Sequence, residues 1–513
     1  MTVPLVSLPP PDTFDQSSSM WVDEAIWGHR LYDEQSPWMV LLEFLNVFHY
    51  ELGKGRAFDE INGLNTLKYQ AAHRLHLRNI LFNDPYLAEV RTEFAHDTNR
   101  WEEWLKRMKT AIGIAHPQFG YVRDRFHSFD DFAEVVSLIR SSSIEVNSNK
   151  RWTSKFVFPY GKHSLYEDLD NKATTNDRRF FGRTGEVLYL MCCRAQRKKE
   201  LVAALQRCFA RTDPTWDTVV KTLQPVEDES FSRDRANAFL PYAENPCFDD
   251  VVEDWLAILR LNITGFDVFP HLVNLAGLHL VKYQLTIARQ VLGFSEPPCF
   301  VCEVVAPRKT LVREISCELY QDNNLLPAQA VEAYIAKVES SPAWKQALTE
   351  SGAFEKCRAI LRDTVRWGDD SDYSGPSDPE QLIQALRQAA MKRHRQHVAN
   401  IHRNYGRDIG LVSKRGTVKL RYAPNDSLLK TLLFANVNKR IELNDFLAKL
   451  EKRYGIVFGD REAEHVLPKG DFDKKAFRAN SRRLEQRLGS LGVLKRLSDA
   501  CAYVINPYHE ETV

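Results

Sequence analysis

Apolar residues recur at helical spacing along most of this chain. Met39, Leu42, Leu45 and Phe48 follow one another in three-residue steps with Leu52 one turn on, and Trp101, Trp104, Leu105 and Met108 repeat the pattern. This predicts amphipathic helices over residues 21–140. Between 141 and 171 the texture turns to Ser/Asn-rich turns around Lys155-Phe-Val-Phe-Pro-Tyr160, which predicts a short strand or extended loop. Periodicity resumes at Gly185 and runs through Phe209, and further helices are expected over 249–261, 268–292, 327–338 and 343–364. The segment Gly368-Asp-Asp-Ser-Asp-Tyr-Ser-Gly-Pro-Ser-Asp-Pro379 combines turn formers and acids with almost nothing to bury, so it reads as a linker or mobile loop.

Beyond it the expected pattern is a basic helix from Pro379 to about Tyr405, and then a compact module. That module has an extended piece at Val418–Tyr422, helices at 427–437 and 443–454, a long helix at 472–491, and a hairpin of strands 493–497 and 500–505 turning at Ser498-Asp499. Two helices, a third basic helix and a closing hairpin are the parts of a winged helix. The fold class is therefore mainly α: a multi-domain helical body with a C-terminal winged-helix (α+β) domain. The expected boundaries are a loose arm at 1–20, a helical N-terminal domain at 21–140, a helical central domain with short strands at 141–367, the linker at 368–379, the basic helix and connection at 380–417, and the winged helix at 418–513.

Charge sharpens the picture more than composition does. At 513 residues, with hydrophobic and charged fractions of 44% and 27%, this is an ordinary globular composition, with no apolar run long enough to span a bilayer. The net charge is only +1, yet Lys392 to Arg421 holds nine Lys/Arg against one acid and Lys474 to Arg496 holds eight against one. The rest is net acidic, and so local a basic excess points to a polyanion partner, double-stranded DNA. In the 472–491 helix, Phe477, Leu484, Leu488 and Leu491 keep core spacing, while Arg478, Arg482, Arg483 and Arg487 take much of the remaining surface. Guanidinium groups bind phosphate and guanine in bidentate fashion, so these four, with Lys495 and Arg496 on the hairpin, are candidate DNA contacts. Lys392, Arg393 and Arg395, and Lys414 and Arg415, would extend the same electrostatic site. The bland alternative for every one of them is a solvated helix face.

Other constellations carry less. Glu464-His465-Val466-Leu467-Pro468, with Asn480 downstream, has the opening of an HNH-like metal-dependent nuclease motif, but no second histidine follows. Cys299-Phe-Val-Cys302, with Cys317, His271 and His279, offers donors for one zinc ion, but an alternating strand there favours buried thiols. Nine scattered cysteines, with Cys192 and Cys193 adjacent, argue for reduced thiols and a cytoplasmic setting. Asp177 to Glu186 lacks the Lys-Ser/Thr of a phosphate loop, and no G-x-S-x-G, H-E-x-x-H or kinase signature occurs. The expectation is a protein without catalytic residues, metal or cofactor.

Three phrases carry a resemblance: Arg179-Phe-Phe-Gly-Arg-Thr-Gly-Glu-Val-Leu-Tyr-Leu190, Arg421-Tyr-Ala-Pro-Asn-Asp-Ser-Leu-Leu-Lys430 and Gly492-Val-Leu-Lys-Arg-Leu-Ser-Asp-Ala-Cys-Ala-Tyr-Val504. Together they resemble an accessory-protein family of bacterial multigene anti-phage defence islands of the methylation-associated kind. The resemblance implies a subunit working beside a nuclease, methyltransferase or ATPase, and it assigns no site residues. The combined expectation is a noncatalytic DNA-binding or scaffolding subunit of a defence complex. The rivals are an HNH-like nuclease using His465 or the histidines near His394, and a structural subunit whose winged helix docks on a partner protein.

Overall fold

The computed structural model describes residues 8, 22–59, 67–111, 118–145, 155–167, 182–211, 214–226, 235–306, 309–414, 419–467, 472–498 and 501–509. All but one residue of the expected N-terminal arm lies outside them. Within them the chain is mainly helical, with a few small sheets.

The helix Val268–Val291 is buried on nearly every side, with Leu272, Leu275, Leu278, Leu280, Val281 and Tyr283 all enclosed. A helix apolar all round cannot sit at a surface. Among the helices that pack on it are Pro37–Gly53, Pro246–Leu259, Leu311–Glu339, Ile401–Asp408 and Asp426–Asn436. Helix Pro37–Gly53 begins at Ser36, whose hydroxyl accepts the Met39 N–H, with proline in the first turn where its missing N–H costs nothing. It crosses Thr184–Arg194 at Gly185, where a Cβ would stand 2.6 Å from the Val40 carbonyl oxygen. That close crossing explains the glycine in Arg-Thr-Gly-Glu. One hydrophobic cluster runs from Val22 to Val504, joining the helical body to the C-terminal elements.

Several boundaries differ from the periodicity, each for a physical reason. The helix expected to begin at Pro327 is the second half of a single helix, Leu311–Glu339, that continues through the proline. An interior proline costs about 3 kcal/mol, and burial of Val312, Tyr320, Leu326 and Val331 along the same helix outweighs it. The stretch 343–364 is two helices, Pro342–Thr349 and Ala353–Val365, parted at Gly352, which takes φ +75°. Likewise the basic helix ends at His397 and a short helix, Ile401–Asp408, follows. The segment 141–171 does contain paired strands, Ile144–Glu145 with Lys155–Phe156.

The C-terminal elements run in the order helix Asp426–Asn436, strand Arg440–Glu442, helix Leu443–Tyr454, strand Ile456–Val457, helix Asp460–Val466, helix Lys474–Ser490, and strands Leu494–Ser498 and Cys501–Ile505. The last two strands pair as expected, but the third member of their antiparallel sheet is Arg440–Glu442, laid beside Cys501–Ile505. The extended piece ending at Tyr422 is not part of that sheet. Its residues Arg421–Tyr422 pair instead with Val412–Ser413, and Arg421 enters the body as a buried partner of Glu303.

Three buried connections fix these elements to the body. Phe300–Val301 pairs in parallel with Ile456–Val457. Asp254, fully buried on Pro246–Leu259, takes Tyr454 hydroxyl at 2.8 Å and Arg453 at 2.6 Å, and lies 2.7 Å from His279 Nε2 on the central helix. The Asn480 amide, fully buried, donates to the Cys302 and Phe458 carbonyls at 2.9 and 3.0 Å and accepts the Val304 N–H at 2.8 Å. A buried polar group left without its partners costs about 1–3 kcal/mol, so Asn480 specifies one seating of the Lys474–Ser490 helix.

Buried imidazoles make stability depend on pH. Burial pushes His402 down to about 3, and His271 and His49 down to about 4. His402 sits 2.8 Å from the Tyr422 hydroxyl and stacks on Tyr320 at 4.8 Å. An unfolded histidine takes its proton near pH ~6.5. Because each folded value is lower, the unfolded chain binds more protons below that pH, and stability is lost as pH falls from about 6.5 toward 4. The thermal midpoint should drop by several degrees between pH 7.5 and pH 5, and equal midpoints would contradict neutral burial of these rings. Separately, Asn480→Ala should destabilise the protein by about 2–4 kcal/mol, whereas Arg482→Ala on the opposite face should stay within about 0.5 kcal/mol. Denaturant unfolding of the two variants checks the contrast.

Candidate nucleic-acid interface

The helix Lys474–Ser490 starts at Asp473, whose carboxylate accepts the N–H groups of Lys475 and Ala476. An acidic cap both satisfies those donors and complements the helix dipole. Phe477, Asn480, Leu484 and Leu488 form its buried face. Phe477 packs in a small cluster with Val301, Val312, Ile315, Val457 and Ala463. The arginines between these positions do not share one environment.

Arg483 and Arg487 turn back onto the protein. Arg483 donates to the Val304 carbonyl at 3.3 Å, and Arg487 donates to Asp426 at 2.6 Å and to the Pro424 carbonyl at 3.0 Å. Asp426 opens the helix Asp426–Asn436 and Pro424 lies just before it, so Arg487 ties the Lys474–Ser490 helix to the start of that helix. Arg478 faces solvent, 60% exposed, 3.0 Å from Asp460. An exposed pair of that kind contributes about 0–1 kcal/mol and yields readily to a phosphate. Arg482 is exposed one turn further on, and Lys475 is exposed one turn before Arg478. Among the described residues neither of these two side chains has a hydrogen bond or ion pair. The outcome is a solvent-facing stripe of Lys475, Arg478 and Arg482, continued by uncharged Gln486. Lys475 is not among the candidates that the sequence alone singles out, although its spacing of three from Arg478 signals the shared face.

The hairpin stands beside this stripe. Arg496 lies 3.6 Å from Glu485, one turn along from Arg482. On the other side of the sheet Lys495 stands opposite Tyr503, and Tyr503 opposite Glu442, by strand register. Arg440 of the third strand sits over the Tyr503 ring at 5.5 Å. Lys495, Arg496 and Arg440 are all exposed, and Leu497 at the end of the first hairpin strand is 59% exposed. Arg440 also escapes a reading of the sequence, because nothing in Arg-Ile-Glu alone announces a third strand.

The second basic run is divided by the same kind of sorting. Lys392 and Arg395 are exposed on the helix Pro379–His397, but Arg393 is buried, 3.7 Å from Glu24. His394 is buried against Asp23 at 2.8 Å. Lys414 is exposed, and Arg415 lies outside the described residues.

His465 is exposed in the last turn of a short helix rather than at the end of a strand. Cys302 is fully buried and Cys299 partly so, and burial pushes the Cys299 thiol up to about 12 and the Cys302 thiol well above its ordinary value. Thiols so shifted are poor nucleophiles and reluctant ligands. His271 lies 2.7 Å from the Thr431 hydroxyl and His279 belongs to the Asp254 network. Among the described residues no group of three or more His, Cys, Asp or Glu could hold a metal ion. Nor is any helix among them long and apolar enough to cross a membrane.

Neither a search of curated proteins nor one of solved structures found a match. A family model did: residues 353–507 match that of methylation-associated defense system protein MAD7. The matched stretch opens at the helix Ala353–Val365 and closes just past the C-terminal hairpin, so it contains both basic runs and the whole stripe. The match supports a role for this chain in a methylation-associated defence system.

Proposed function

We propose that residues 418–513 form a winged helix that binds double-stranded DNA, and that the protein is a noncatalytic DNA-recognition or scaffolding subunit of a cytoplasmic defence complex. The topology supports the first part. A helix, a short strand, a second helix, a further helix and a two-stranded hairpin, with the short strand edging the hairpin, follow one another as a winged-helix reading expects, with one short extra strand and helix before the basic helix. The observation that carries the second part is the contrast along one helix. Arg483 and Arg487 are used for internal bonds, while Lys475 and Arg482 are held outward with no internal partner among the described residues. A solvated basic face that served only solubility would need no such rigid seat, whereas a duplex-binding helix gains from preorganised cations. The hairpin cation Arg496 beside that stripe extends it, as a phosphate-binding group on a wing would.

Docking on a partner protein is the second reading, and Leu497 favours it. A large apolar side chain more than half exposed beside a hairpin turn suits a protein contact as well as a groove.

Titration of the whole protein against a duplex at two salt concentrations separates the readings. Duplex binding should weaken steeply with salt, and replacing Lys475, Arg478 and Arg482 together by Ala should lower the log–log slope by about 0.9 for each phosphate those side chains neutralise. The pair Arg483→Ala and Arg487→Ala should instead cost stability and leave the slope of the folded fraction nearly intact. Absence of any duplex complex at low salt would leave the docking reading in its place.

A further inference from the structure

The charges of the helix Lys474–Ser490 are not spread evenly round its outer side. Side chains step round a helix by about 100° per residue, so the positions turned furthest from the buried line Phe477, Asn480, Leu484 and Leu488 are Lys475, Ala479, Arg482, Gln486 and Gly489. All of these are exposed, and a Cβ added at Gly489 would meet no atom within 4 Å. Arg478 leans to one side of this ridge, towards Asp460 at 3.0 Å. Arg483 and Arg487 lean to the other and are bonded to the protein.

The ridge is not simply basic. A face that only neutralised phosphates would carry a cation on each outward turn, whereas here Lys475 and Arg482 alternate with Ala479, the Gln486 amide and Gly489. The two small residues let the helix backbone come close to whatever lies against it. Neither the Arg482 guanidinium nor the Gln486 amide has a hydrogen bond or ion pair among the described residues. The acids that flank the ridge are engaged elsewhere: Glu485 lies 3.6 Å from Arg496, Asp460 faces Arg478, and Asp473 caps the helix. Buried Asn480 holds the ridge at one rotation, which contacts of fixed geometry require.

We propose that this ridge lies in the major groove and that Arg482 and Gln486 read base edges there, which makes the protein selective for duplexes carrying a guanine and an adenine close together. The inference rests on the duplex reading above and adds a sequence preference to it. A guanidinium fork matches the O6 and N7 acceptors of guanine, and a primary amide matches the N6 donor and N7 acceptor of adenine. Four residues of helix rise about 6 Å, or roughly two base-pair steps of about 3.4 Å each, which sets the spacing of the two bases. Lys475 at the start of the ridge and Arg496 beside it serve phosphates, which fix register without reading sequence.

Selection of duplexes from a random pool by the full chain, at a salt concentration of about 0.15 M, tests this. The expected result is an enriched motif with a guanine and an adenine within about two steps of each other. Arg482→Lys keeps the charge and loses the fork. It should erase the guanine preference, roughly ten-fold against a wrong base, and leave the salt slope unchanged. Gln486→Ala should erase the adenine preference alone, while Lys475→Ala should weaken all duplexes alike and lower the slope by about one. The three positions are exposed, so these changes leave the fold intact. A motif lacking either base, or one retained in both Arg482→Lys and Gln486→Ala, would overturn the assignment. Salt-dependent binding with no motif enriched would overturn it too and leave the duplex reading standing, whereas no binding of any duplex at low salt would remove both.

Discussion

Everything at the C-terminal end depends on where one carboxamide sits. Asn480 lies in the middle of a helix that is charged on its outer side, yet its own side chain is wholly enclosed and bonded to three backbone groups from two separate segments. Asparagine in a helix interior is unfavourable on propensity alone, and a buried amide is tolerated only when its hydrogen bonds are met. Meeting them fixes the rotation of the helix about its axis. That rotation decides which arginines meet the protein and which meet water, so a neutral residue governs the electrostatics of its charged neighbours.

The helix periodicity made much of this legible from sequence. The helices at 427–437 and 443–454, the long basic helix and the closing hairpin are found within a residue or two of their expected ends, because their apolar spacing and flanking turn residues are local signals. The mainly helical class is legible for the same reason. What is illegible is pairing at a distance. Ile456–Val457 and Arg440–Glu442 are too short to show an alternation, and each becomes a strand only because a partner far away in the chain completes it. Pro327 misled in the opposite direction, since a strong local breaker was overruled by packing along the whole of its helix.

The candidate site divides along the same line. A basic count identifies the helix but cannot tell Arg482 from Arg483, two adjacent residues with the same side chain, one in water and the other bonded to the Val304 carbonyl. The separation follows from the 100° step between neighbours once Asn480 has set the phase. Arg393 shows the rule again: it sits between exposed Lys392 and Arg395 in sequence order but lies inside, next to a glutamate contributed by the far N-terminal end. Charge runs state how many cations a segment has, and only tertiary packing states how many remain available.

The parallel pairing of Phe300–Val301 with Ile456–Val457 bears on how the protein is made. A ribosome delivers the first segment long before the second, so Phe300–Val301 lacks its strand partner until nearly the whole of residues 1–457 has been made. Assembly of the basic unit and completion of the body are then one event, and a truncated product would expose backbone donors and apolar side chains that attract degradation or aggregation. Quality control of translation and competence of the charged surface are thereby joined in a single late step.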